Sequence, residues 1–450
     1  MWPVWVAGLL ALLVTLFAGY GIYKILHSLV SKEATPENPV AVHEVIRSVL
    51  ATLTLAGAVL AGIYAYRKQR LAESDADRAD EKQLAERYTT AADQLGHDQA
   101  AVRLAGVYAM ARLADDWIEQ RQVCIDVLCA YLRMPYEPDP EAGAYKDGER
   151  EVRHTVIRVI SNHLQRRAPI SWAACDFDFT RATFDGGTLR GSGFQGTVDF
   201  SGAKFSGGMV DFSATEFSGG TVSFRDAVFS GGTVSFGGAW FSGGTADFSA
   251  TVFSGSTVDF SYAEFRGDTG DFSGAKFSGG TVHFGGAKFS GGTIEFTGVE
   301  FSGGTVHFGG AKFSGSTVHF NNAEFSGGTI DFFDAGFSGG RIDFFGVEFS
   351  GSTVSFGGAR FSGGAIEFFS GVEFSGGTVH FGGAEFSGST IDFRDAVFSG
   401  STISFGGAEF SGGTVSFGGA VFSGGAVDFE GVSGAPQDWG PFQPRTDSGG

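Results

Sequence analysis

From residue 176 onward, large apolar positions recur at fixed intervals. A phenylalanine stands at 205, 217, 229 and every twelfth position to 361, then at 374 and every twelfth position to 422. A second phenylalanine follows each of these by seven residues, as at Phe212, Phe224 and Phe236. The unit reads F-S-G-G-T-V-x-F-x-x-A-x. Val222 and Phe224 are two apart and share one face of a strand, as do Ala227 and Phe229. The residue inside each pair varies among Ser223, His283, Glu295, Lys276 and Glu300. Fixed apolar positions around variable polar ones read as inside and outside. Ser-Gly-Gly and Gly-Gly supply corners, where glycine takes a positive φ without strain. Short inward segments joined by regular corners predict a parallel β-solenoid in which like residues stack as ladders. No proline occurs between Pro169 and Pro436, as expected where every coil must donate ladder hydrogen bonds. One residue is inserted between Phe361 and Phe374, around Phe368, Phe369 and Ser370. The pattern fits a coil of 24 residues with four faces or a flattened two-sided coil of 12. Four faces are favoured, since two phenylalanines per thin coil crowd a narrow core. At a stacking distance of about 4.8 Å, the rod would be roughly 45 Å or roughly 90 Å long.

The N-terminal pattern differs. Residues 2–23 carry no charge, and neither do residues 48–66, which Arg67, Lys68 and Arg70 close. Each run is long enough to cross a hydrocarbon core of about 30 Å as a helix. Trp2, Trp5, Tyr20, Tyr23, Tyr64 and Tyr66 mark the ends, as interfacial aromatics do. No Lys or Arg precedes the first run, which argues against a cleaved signal peptide. A transmembrane hairpin is therefore expected over 1–67. The bias of Lys and Arg after the second span leans toward both termini in the cytoplasm. The expected localisation is the cell membrane, multi-pass.

Residues 68–134 read as helix. The segment before Gly96 is charged and solvated. In the next, Val102, Ala105, Ala109 and Leu113 form an apolar stripe; in the one after, Val123, Val127, Leu128 and Tyr131 do so. Pro135, Pro138 and Pro140 break the helices. Residues 149–165 then align Val152, Val156, Val159, Ile160 and His163. The domains expected are the hairpin, a helical linker over 68–170, the β-solenoid over 171–432 and a disordered tail over 433–450. Trp439 and Phe442 of that tail are expected to shield the last coil.

Composition divides along the same lines. Of 48 Phe, 47 follow residue 175, as do 63 of 72 Gly. Of the net charge of −19, the part beyond residue 175 holds −17. Collagen is excluded by the lack of a strict G-X-Y period and of abundant proline, and disorder by the abundance of apolar side chains. Phosphate binding needs a basic surface, so direct nucleic-acid binding is not expected. Cys124, Cys129 and Cys175 show no disulfide framework and are expected as reduced, structural thiols. His97, His154 and His163 lack zinc-motif spacing and read as surface or capping residues. In a 24-residue coil His283 and His307 would stack, an arrangement able to hold a metal, but with Asp259, Asp271 and Asp331 at the same repeat position they read as variable surface. Thr221, Thr233, Thr245 and their successors form a ladder that Arg341 and Ala365 interrupt, and read as corner residues rather than an ice-binding array. No nucleophile motif is present. No catalytic, cofactor-binding or metal site is assigned, and no enzyme activity is expected.

The segments AKFSG (203–207) and AEFSG (384–388) resemble pentapeptide repeats. The resemblance implies a right-handed four-sided β-helix with the central Phe and the small residue inside. Here two residues, usually Gly-Thr, enter every second unit, a departure from the five-by-five pattern. ERYTTAADQLG (86–96), VRLAGVYAMARLA (102–114) and EVRHTVIRVISNHL (151–164) resemble a region found upstream of such repeats in actinobacterial membrane proteins. The function expected is a membrane-anchored scaffold. Its partners would be the lipid bilayer through the hairpin and an unidentified protein on the acidic solenoid. The alternative is an acidic DNA mimic that inhibits a DNA-binding enzyme such as gyrase, as some pentapeptide-repeat proteins do.

Overall fold

The N-terminal residues favour helix and little else, and two long helices result. In the computed structural model, which describes residues 4–33, 42–266, 269–368, 371–412 and 414–434, α1 runs Val4–Glu33 and α2 Val42–Leu95. The chain divides into two compact units, Met1–Glu86 and Arg87–Gly450. Within the first, Gly19 of α1 lies so close to Leu53 of α2 that a Cβ there would stand 2.9 Å from Leu53 Cδ1. Among the described residues one helix, over Ile46–Leu95, is long and apolar enough to cross a membrane. The span expected over 2–23 falls largely on residues whose side chains lie outside the described ones.

In the second unit three shorter helices follow: α3 (Ala100–Asp116), α4 (Arg121–Arg133) and α5 (Glu149–Leu164). The stripe expected on α5 is largely buried: Val152, Val156, Val159 and Ile160 face the core. Those expected on α3 and α4 are rotated. Ala105 and Val123 are exposed; Leu113, Leu128 and Tyr131 of the expected stripes are buried, and the buried faces also hold Val107, Met110 and Ala114 on α3 and Cys124, Ile125, Cys129 and Leu132 on α4. Both sequences are apolar around much of the helix, so periodicity alone does not choose the face. Gly106 does on α3: a Cβ there would meet the Leu95 backbone nitrogen at 2.7 Å.

From Phe177 the chain winds into a parallel β-solenoid of about ten turns, each turn adding a strand to each of four sheets. The first sheet begins with Phe177–Asp178, the second with Thr183–Phe184, the third with Gly187–Thr188 and the fourth with Gly193–Phe194. Past the first turn, register pairs each residue with the one 24 positions on, as in Phe205 with Phe229 and Phe229 with Phe253. Across the inserted residue the step becomes 25, as in Phe349 with Phe374, and alignment continues. The insertion expected around Phe368, Phe369 and Ser370 falls between the strands Ala365–Glu367 and Glu373–Ser375; residues 369 and 370 are outside the described ones, as is 435–450, which includes the tail's Trp439 and Phe442.

Four columns of phenylalanine fill the interior. Neighbours within a column stack nearly parallel: Phe224 on Phe248 at 4.8 Å and 2°, Phe236 on Phe260 at 4.7 Å and 4°. The columns that follow the first and third sheets meet edge to face, as in Phe224 against Phe236 at 5.3 Å and 90°. Both geometries suit the aromatic quadrupole. The corners hold the coils this close. Gly232 has φ +74°, and a Cβ there would stand 2.3 Å from the Gly208 carbonyl oxygen of the coil before.

At the N-terminal end the first coil has no predecessor, and α4 and α5 cover it. Gln165 bridges Ser192, and the Gln122 amide nitrogen donates to the Asp176 carbonyl at 2.8 Å while the Asp176 N–H donates back at 3.0 Å. An open end would invite edge pairing, and covering it removes that edge.

Phe248→Ala is expected to lower stability by about 3–5 kcal/mol, read as a fall in the urea midpoint. Gly232→Ala is expected to lower it as well, since left-handed strain of about 1–2 kcal/mol adds to the carbonyl clash.

Candidate functional site

With the interior so uniform, chemistry is confined to outward positions, the helices and the junction between helices and solenoid. The outward column of the first sheet includes Asp247, Asp271, Glu295, His319, Asp343, Glu367 and Asp392, each in register with the next. Like charges so placed repel, and two arginines relieve them. Arg341 reaches both Asp343 and Glu367, and Arg394 lies 2.5 Å from Asp392. Burial pushes the Glu367 carboxyl up; Arg341 opposes this and Asp343 adds to it.

Many of these aspartates have a structural task. Asp199 accepts the Ser201 N–H at 2.8 Å, and Asp247 the Ser249 N–H at 2.9 Å. Asp259 and Asp271 do the same on their sheets at 2.8 Å. A short acceptor side chain two residues before a corner N–H is the Asx turn. Ser235 takes this place for Gly237 at 3.3 Å, and His380 for Gly382 at 2.7 Å. Part of the rod's acidic complement thereby also serves to turn the chain.

His283 and His307 stack at 5.1 Å and 6°, as a 24-residue register requires. His307 Nδ1 lies 3.7 Å from Asp331. Among the described residues no group of three or more His, Cys, Asp or Glu could hold a metal ion. The threonines divide between two sheets: Thr233, Thr257 and Thr281 align on the third, Thr245, Thr269 and Thr293 on the first.

The junction carries the polar contacts that the sequence does not reveal. Asp185, in the first coil, lies 2.9 Å from His154 Nε2 and accepts from Tyr136 Oη at 2.7 Å and Arg150 Nε at 2.9 Å. Burial by itself would raise its carboxyl, but the hydrogen bonds from His154, Tyr136 and Arg150 outweigh that and hold it at about 2. Arg153 is fully buried; it donates to the Tyr131 and Leu132 carbonyls ending α4 and to Thr183 of the solenoid at 3.2 Å. His163 stacks on Trp172 at 3.9 Å, and both meet Asp115, at 3.1 and 3.0 Å. His154 and His163, expected as surface or capping residues, are half-buried junction residues; His97 is an exposed surface residue that accepts the Gln99 N–H at 3.0 Å, just before α3.

A cavity of about 420 Å³ opens beside Arg103, Tyr131, Lys146 and Glu149. Arg103 pairs with Glu149 at 3.1 Å, and Tyr131 donates to Glu149 at 2.9 Å. The carboxylate in its wall is therefore engaged by neighbouring side chains. Cys124 and Cys129 are buried and free, and Cys175 is half-buried and free. Burial pushes the Cys124 thiol up to about 11 and raises Cys129 and Cys175 as well.

Residues 381–433 match the family model for pentapeptide repeats (9 copies). No curated protein matches the chain. The family match and the β-solenoid together support a pentapeptide-repeat solenoid.

Asp185 titrates lower in the folded chain than in the unfolded one. Its contribution is thus present above the ordinary carboxylate pKa of 3.8 and lost as pH falls toward about 2. Acidification through that window is expected to cost about 2 kcal/mol, and Asp185→Asn to flatten the profile, followed by tryptophan fluorescence in urea. Thiol reagents are expected to leave Cys124 and Cys129 unmodified until the chain unfolds, which mass spectrometry after timed labelling would read.

Proposed function

We propose that the chain is a membrane-anchored, non-catalytic scaffold whose solenoid, taken as a four-sided rod, presents a protein-binding surface. The observation that carries this reading is the division of labour within the repeat. Inward residues are nearly invariant from coil to coil, while the outward residue of each strand changes sign, size and polarity, as from Trp240 to Glu264 to Lys288. A surface that varies over a constant core is what recognition by a solenoid requires. The anchor reading rests on α2, where Leu50, Leu55, Leu60 and Tyr64 are exposed on an apolar helix, and on the uncharged run over 2–23. Lys and Arg after residue 66 favour a cytoplasmic solenoid.

The acidic balance beyond residue 175 favours a second reading, a DNA mimic acting on an enzyme such as gyrase. The Asx turns weigh against it, because they give many carboxylates a structural purpose. A supercoiling assay with the full-length protein separates the two: the scaffold reading expects no inhibition.

The full-length protein is expected to stay in the membrane pellet through alkaline carbonate, and a variant lacking residues 1–67 to leave it. Release of the full-length chain by carbonate would overturn the anchor.

A further inference from the structure

Two outward columns are not explained by corner turns. On the second sheet Glu300, Glu324, Glu348 and Glu373 follow one another in register. On the fourth sheet Lys288 and Lys312 stack directly, and Arg360 follows two coils later. All but the half-exposed Glu300 are exposed. Stacked like charges about 4.8 Å apart repel one another. Lys276 pairs with Glu300 at 2.8 Å, Lys288 with Glu264 at 2.7 Å and Arg360 with Glu385 at 3.3 Å. These ion pairs sit along the columns and leave the runs of like sign intact.

The two sheets are separated by the third sheet on one side of the coil and the first on the other, so their faces point in opposite directions. We propose that the solenoid docks on a second copy of itself, the fourth-sheet face of one copy lying against the second-sheet face of the next, both running the same way. This goes beyond the scaffold reading by naming a partner, and it does not depend on the membrane anchor.

Charge complementarity chooses the register. A strand of the fourth sheet lies half a coil from its neighbours on the second, so same-direction docking offers two closest offsets, each about 2.4 Å along the axis. In one, Lys288 faces Glu300, Lys312 faces Glu324, Arg360 faces Glu373 and the exposed Trp240 faces Val252, and no two like charges meet. In the other, Lys276 faces Lys288 and Glu373 faces Glu385. Only the first is free of opposed like charges, which are the strong discriminators at an interface. The contact joins two different faces, so each docked copy still presents one free face of each kind. Such heterologous contacts extend into open rows.

The test uses two charge-reversed variants of the full-length protein in non-ionic detergent, with sedimentation velocity as the readout. Lys312→Glu with Arg360→Glu places carboxylates opposite Glu324 and Glu373; Glu324→Lys with Glu373→Lys places lysines opposite Lys312 and Arg360. All four residues are exposed, and circular dichroism verifies that each variant keeps the strand signal. Wild type is expected to sediment as multimers at low salt and as single copies at about 0.5 M salt, where the screening length is only a few ångströms. Each variant alone is expected to lose association, and an equimolar mixture of the two to regain it. A wild type that stays single at low salt, variants that associate as wild type does, or a mixture that fails to regain association would each overturn the proposal.

Discussion

Parallel coils place each side chain about 4.8 Å from its counterpart one turn on, and that spacing determines what every position can hold. Inside, a flat ring is well suited: Phe205 lies on Phe229 at 4.6 Å with 5° between planes. Ala227 and its equivalents are completely buried where the chain turns, and their small side chains leave room for the four columns of rings. At the corners the same spacing presses backbone on backbone, and Gly232 is held against the Gly208 carbonyl. The composition of the repeat follows from this: aromatic within, glycine where the chain bends, and free choice only outside.

Outside, the spacing sets the electrostatics. A column of one sign repels itself unless something intervenes, and the solenoid uses several devices. Arg341 spans Asp343 and Glu367. Asp199 and Asp259 turn their carboxylates to corner N–H groups. Glu264 sits between Arg266, at 2.5 Å, and Lys288. The net acidity of the rod is thus a sum over positions with different purposes, and its sign alone says little about what binds there.

The repeat made the solenoid legible, because inward and outward residues alternate with a period of two and the corners announce themselves as glycine. The four α5 residues Val152, Val156, Val159 and Ile160 were legible for the related reason that apolar residues there keep to one side. On α3 and α4 small and apolar residues surround the helix, and the buried face follows from close approach at Gly106 and from the other helices, which no local pattern records. The junction was illegible for a different reason. Asp115, His163 and Trp172 meet across 57 residues of chain, and Asp185 meets Tyr136 across 49. Nothing in their local sequence sets them apart from ordinary surface residues until the fold brings them together.

The solenoid obeys two periods. Its interior repeats every twelve residues, since the first and third sheets are built alike, as are the second and fourth. Its exterior is ordered every 24, because only residues one full coil apart stack. Loss or gain of twelve residues would leave the interior intact and transfer everything downstream to the opposite face. Loss or gain of 24 would shorten or lengthen the rod and leave each face where it was. Copy-number drift in such a gene is therefore conservative for folding in half-coil steps, and conservative for recognition only in whole coils.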